Sequence, residues 1–220
     1  MIKSAAMMVI CSLFLALGAC QSTQTRYAAF GNAPASDQLA LIESSKVWYD
    51  LSDEFYHIQP ECVMILPHES HDAKHIEQVI ARHASAHFSK IIHTDRVQHY
   101  MQKNALDATK TDHIRLLRQG LRCDTLLSWQ HWHHQDQDLG FWTKRRAGLH
   151  LTLEHHYMNH KTTLWQAKHA ASRSQGALPL SPIGAIAGIA KAADFRASHD
   201  VGHSLIDDAL RRIFITLPYG

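Results

Sequence analysis

Pro60-Glu61-Cys62-Val63-Met64-Ile65-Leu66-Pro67 is the stretch on which the reading of the whole chain turns. Val63 to Leu66 are four apolar residues in a row, without the alternation of a strand that has one wet face. A short run buried on both faces suits a central parallel strand. A proline at each end sets its limits, because proline cannot donate to a ladder. His68-Glu69-Ser70-His71-Asp72 makes the turn that follows, with Ser70 or Asp72 placed to cap a helix. Ile76, Val79, Ile80, Ala84 and Phe88 then recur at helical spacing and give that helix one apolar face. Strand, helix and strand in succession make the repeating unit of an α/β domain.

Moving toward the C-terminus, Ser89 to Thr94 reads as a second strand around Ile91 and Ile92. Asp95 opens a helical stretch with Val97, Tyr100 and Met101 facing inward. A second capped segment, from Thr111 through Ile114 and Leu117, ends at Gly120, which suits a left-handed C-cap. Cys123 to Trp132 reads as a third strand, and the polar run at 135–140 as a hairpin connection. Arg146 to His156 alternates: Ala147, Leu149, Leu151 and Leu153 point one way, His150, Thr152, Glu154 and His156 the other. Thr163 to Ala170 returns as a strand, and Ser174 to Ser181 is a loop. Asp200 caps a closing amphipathic helix with Leu205, Ile206, Ala209, Leu210, Ile213 and Phe214. The order β-α-β-α-β-β-β-α predicts an α/β (α+β) fold, a mixed parallel and antiparallel sheet with helices packed on one face.

Pro182 to Ala190, just before that last helix, carries no polar face yet is too short to span a bilayer, which takes about 20 residues. Gly184 and Gly188 fit a small-xxx-small pattern that lets helices approach closely. Ile183, Gly184, Ile186, Gly188 and Ile189 are therefore candidates for an interface with another subunit or with lipid, the alternative being a buried connector.

The N-terminal side is of another kind. Asp37 to Leu51 reads as a short helix or an accessory strand, and Gln21 to Pro34 as a small, polar, flexible tether. Lys3 supplies a basic n-region and Ala5 to Leu17 an apolar stretch of secretory length. Leu17-Gly18-Ala19-Cys20 resembles a bacterial lipobox, which implies cleavage before Cys20 and a diacylglycerol plus an N-acyl chain on that cysteine, with no other cofactor. Gln21, where an aspartate would resemble the inner-membrane retention signal, implies the periplasmic side of the outer membrane. The chain then divides into a signal peptide at 1–19, a tether at 20–36, an accessory segment at 37–59 and a periplasmic domain at 60–220.

A net charge of +2 makes no electrostatic case for nucleic acid, and 45% hydrophobic with 19% charged residues suits a globular domain. Of four cysteines, Cys11 leaves with the signal and Cys20 is acylated, so Cys62 and Cys123 remain in an oxidising compartment as a candidate disulfide. Nineteen histidines stand out. His131, His133, His150 and His156 on neighbouring strands are weak candidates for metal ligands, since alternate residues on adjacent strands can converge. They lack the spacing of a known zinc motif, so a solvated histidine-rich surface is expected and no metal. Ser70 lies outside any G-x-S-x-G elbow, and neither a P-loop nor a dinucleotide fingerprint occurs, so a non-enzymatic protein is expected.

Val63-Met64-Ile65-Leu66-Pro67, Cys123-Asp124-Thr125-Leu126-Leu127, Thr163-Leu164-Trp165 and the closing Leu217-Pro218 resemble a family of envelope lipoproteins with a domain similar to the N-terminal domain of TolB. Its members include CsgG, PelC and LpoB. The resemblance implies that the first and third strands are parallel neighbours, which would let Cys62 meet Cys123; two small buried thiols are the alternative. It further implies a lipid-anchored protein that self-associates or docks on an envelope partner in assembly or export. The long hairpins with which CsgG builds a barrel are not evident. A histidine-based metal-binding or pH-sensing module is the competing reading.

Overall fold

The computed structural model describes residues 25–33, 45–133, 137–158, 160–176 and 182–219. The signal peptide, Cys20, residues 34–44, the connection at 134–136 and the loop at 177–181 lie outside the described residues. Eight strands form one sheet in the order β1-β2-β8-β7-β5-β3-β4, with β6 beside β7. In chain order these are β1 (Arg26–Ala29), β2 (Lys46–Leu51), β3 (Cys62–Ile65), β4 (Lys90–Ile92), β5 (Thr125–His133), β6 (Gln137–Asp138), β7 (Trp142–Tyr157) and β8 (His160–Gly176). The described helices are α1 (Glu54–Ile58), α2 (Ala73–Ala84), α3 (Thr94–Lys103), α4 (Thr111–Leu121), α5 (Pro182–Ala197) and α6 (His199–Phe214).

Val63, Met64 and Ile65 are fully buried because β3 has helices on both sides. It pairs parallel with β4 on one edge and with β5 on the other. The chain therefore crosses β3 in opposite directions in its two crossovers. A right-handed crossover then puts α2 on one face and the α3–α4 pair on the other. Val63 and Ile65 pack with Ile76 and Ile80 of α2 and Ile206 and Leu210 of α6. Met64 packs with Val97, Ile114 and Leu117 of α3 and α4. The expectation of helices on one face is corrected: the reversal of crossover direction requires both.

β7 and β8 form a hairpin of 16 and 17 residues, longer than the stretches whose alternation is visible in sequence. Ala147, Leu149, Leu151 and Leu153 point into the larger core, and Gly148 lies under the Trp132 ring, which would come within 2.2 Å of any added Cβ. The end running from Trp142 to Gly148 and from Ala170 to Gly176 projects past β2 as an arm, flanked on the β7 side by the end of β5 and by β6.

Three further expectations are corrected. Arg26–Ala29 falls in the stretch read as tether, yet it pairs parallel with β2. β2, from the accessory segment, pairs in turn with β8 and buries Val47 and Trp48, so the sheet begins well before Pro60. Gly120 is not the left-handed cap of α4; Arg122 takes that conformation at φ 52°. Gly120 instead makes room for the Tyr100 side chain between α3 and α4. Ser198, not Asp200, stands at the N-cap of α6, and Asp200 sits in the first turn, where a carboxylate suits the helix dipole.

Candidate functional site

α5 is where the sequence-derived interface residues fall, and the helix splits them. Gly188, Ala192 and Phe195, spaced at 0, 4 and 7 residues, are buried. They give the helix its inner face against β7 and β8. The small-residue stripe thus turns inward, with Gly184 half-buried beside it. Ile186 and Ile189 point the other way and are 70% and 51% exposed. Ala187, Ala190 and Ala193 are exposed on the same helix. Ile183 lies in α5, but its side chain is outside the described residues. An ion pair from Arg196 to Asp138 ties the C-terminal end of α5 to β6. Arg145 Nη1 donates to the Ser198 carbonyl at 2.6 Å and holds the α5–α6 junction to the arm. No helix among the described residues is long and apolar enough to cross a membrane.

Cys62 and Cys123 are joined by a disulfide, with their Cα atoms 5.8 Å apart. Parallel pairing of β3 with β5 brings the two N-terminal strand ends side by side. Beside the bridge, Arg118 reaches from α4 to Asp124 at 2.6 Å and fixes the entry to β5.

The four histidines read as weak metal candidates are not brought together. In the antiparallel β5–β7 register, Gln130 faces His150 and His131 faces Leu149. His131 therefore shares a face with the larger core, while His150 and His156 occupy the other. His133's side chain is outside the described residues. His150 packs on Phe30 with ring centroids 5.3 Å apart, and burial with the nearby Lys168 charge lowers its pKa. His156 lies 3.4 Å from Glu154, whose carboxylate also takes Lys161 at 2.7 Å. Burial alone would raise that carboxyl's pKa, but bonds from His156 and Lys161 hold it below the usual value. No group of three His, Cys, Asp or Glu among the described residues is disposed to hold a metal ion.

A cavity of about 450 Å³ opens beyond the C-terminal ends of β3 and β5, at the point where the crossovers diverge and α/β sheets leave a crevice. Ser70, His71, His131, Arg145 and His203 line it. Ser70 Oγ lies 3.4 Å from His131 Nδ1, the outer limit of a hydrogen bond. His203 stacks on His75 at 4.0 Å, and His75 Nε2 is 3.2 Å from Asp207. Sequence reading singled out Ser70 and His71 from their place after β3. It missed Arg145 and His203, because the β7 arm and the N-terminal half of α6 meet only through the tertiary fold.

No family model matches this chain, and no curated protein matches it. Solved structures do show likeness in outline. The PelC dodecamer of Paraburkholderia phytofirmans has a subunit 12% identical, with a TM-score of 0.38 over 76% of this chain and 95% of that one. Lipoprotein GNA1162 from Neisseria meningitidis is 13% identical, with a TM-score of 0.41 over 63% of this chain and 100% of that one. Hypothetical protein CT253 from Chlamydia trachomatis is 11% identical, with a TM-score of 0.38 over 71% and 92% respectively. At such identities and scores the likeness says nothing about the cavity, the disulfide or α5.

Proposed function

We propose that this chain is a non-enzymatic lipoprotein held by an acylated Cys20 to the periplasmic face of the outer membrane, where its α/β domain acts by contact in envelope assembly or export. The observation that carries this reading is Leu17-Gly18-Ala19-Cys20 behind a basic and then apolar leader. A disulfide between Cys62 and Cys123 supports it, since such bonds persist in oxidising compartments. Two acyl chains hold a protein on a bilayer where one does so only marginally. The test is metabolic labelling with palmitate followed by membrane flotation. Wild-type protein is expected to take up label and float; Cys20→Ser should lose the label and stay with the soluble fraction. Label retained by Cys20→Ser would sink the reading. A second reading, a domain that responds to acid through its histidines, is favoured by the buried His169.

A further inference from the structure

From the placement of α5 on the β7–β8 arm and the shortness of the chain before β1, we infer that the Ile186–Ile189 ridge of α5 lies in the surface of the bilayer that holds Cys20. The inference rests on the reading of Cys20 as the anchor.

Tyr27, Val47 and His169 lie abreast on β1, β2 and β8. Because β2 runs antiparallel to β8, following the chain backward from Tyr27 means travelling the way β8 travels forward. From that level β8 continues to Gly176, a length of about 23 Å at the rise of a strand. Cys20 is separated from Tyr27 by the same number of residues, which reach about 25 Å at most when fully extended. The root of that chain is tied to the domain, since Arg212 donates to Thr25 Oγ1 at 2.9 Å. An anchor of that reach, leaving on the side where the arm projects, brings the arm and α5 to the bilayer.

What α5 shows there fits a lipid surface. Ile186 and Ile189 are large, aliphatic and more than half exposed, with exposed alanines between and beyond them. Interfacial helices bury such a face at the boundary of headgroup and acyl chain. Lys191 is exposed on α5, and Arg173 is exposed on β8, where it reaches Ser204 of α6. A cation on α5 suits anionic headgroups, and the aliphatic part of a lysine can lie along the apolar layer. Asp138, the carboxylate on the adjoining β6, is paired with Arg196; Asp194 is the exposed carboxylate on α5 itself.

The test uses the full acylated protein in vesicles of phosphatidylethanolamine and phosphatidylglycerol. A fluorophore is attached at Ile189→Cys or, as a control, at Tyr56→Cys, which is exposed on α1 beyond the opposite end of β2. Both positions point outward, so neither label disturbs the core. Nitroxide lipids with the spin label just below the headgroup are expected to quench the Ile189 label several-fold more than the Tyr56 label. Equal quenching, in protein that floats with the vesicles, overturns the inference while leaving the anchor intact. Failure to float would overturn the anchor itself. Shielding of the Ile189 label in lipid-free Cys20→Ser protein, with a dimer or larger mass by light scattering, would assign the ridge to a second copy and also overturn it.

Discussion

Replacing Cys62 and Cys123 together by serine is expected to lower the free energy of unfolding by about 4 kcal/mol, read from urea titrations of the double variant against the oxidised wild type. The sulfurs close a loop of sequence separation 61. That loop holds α2, β4, α3 and α4, which are the helices of both crossovers and most of the smaller core. Chain-entropy arguments give about 3 kcal/mol for a 15-residue loop and about 5 for one of 100, so this loop falls near the upper figure. A typical domain has only about 5–15 kcal/mol in total. The bridge also stands at a thin point. β3 meets β5 over only two paired positions, Met64 with Leu126 and Ile65 with Leu127, whereas β5 meets β7 over nine. The covalent link therefore reinforces the seam between the parallel and antiparallel parts. Because the term acts mainly on the unfolded chain, the native near-ultraviolet spectrum of the variant should be unchanged at neutral pH. A loss below about 1 kcal/mol would mean that the loop is already closed in the denatured ensemble by other contacts.

Much of this architecture is written in local pattern. The two-sided burial of Val63 to Ile65 is visible as an unbroken apolar run, and the inward row on β7 as a period of two. Both signals are strong because large aliphatic side chains at those positions have no other place to go. β1 is different: Arg-Tyr-Ala-Ala has no strand pattern of its own, and it is ordered by pairing with β2, twenty residues away in sequence. The arm was underestimated for a related reason. Thr143 and Arg146 are buried although polar, Arg146 in a hydrogen bond to Gln137, so polarity concealed a strand. In α5 the apolar pattern ends at Ala190, while the helix runs on to Ala197 and buries Phe195 one turn past Ala192. The interface residues were legible as a group, but which of them face outward was not, since Gly188 and Ile189 differ only in what their helix packs on. The histidines, only weak ligand candidates in sequence, show the limit of strand adjacency as a signal. Adjacent strands brought His131 and His150 near one another in sequence space, and the register then set them on opposite faces.

His169, which no sequence pattern marks, is expected to make the protein acid-sensitive by about 3 kcal/mol. Its ring is wholly buried. Its Nδ1 lies 2.6 Å from the Lys46 carbonyl, which can only accept, so Nδ1 carries the proton of the neutral ring. Nε2 is buried and has no hydrogen-bond partner among the described residues. A second proton at Nε2 would place a charge on a buried atom that no hydrogen bond from the described residues receives. Burial is accordingly the main reason its pKa falls to about 4, with the Arg212 charge adding to the fall; the Lys46 carbonyl and the Asp208 carboxylate oppose it. In the unfolded chain the same ring titrates near 6.5. The folded state thus binds the proton later than the unfolded state does. Stability is full above about pH 6.5, declines as pH falls through the window down to about 4, and is flat with respect to this group below it. His83, His150 and His155 are shifted in the same direction, chiefly by burial, and steepen the decline in wild type and variant alike. The difference between wild type and His169→Gln removes that common background. Glutamine can still donate to the Lys46 carbonyl but does not titrate. The stability advantage of wild type over the variant should therefore shrink steadily between about pH 6.5 and 4, by urea unfolding at half-unit steps. A constant difference across that window would show that the buried ring does not govern the acid response, and the acid-sensing reading would lose the residue that favours it.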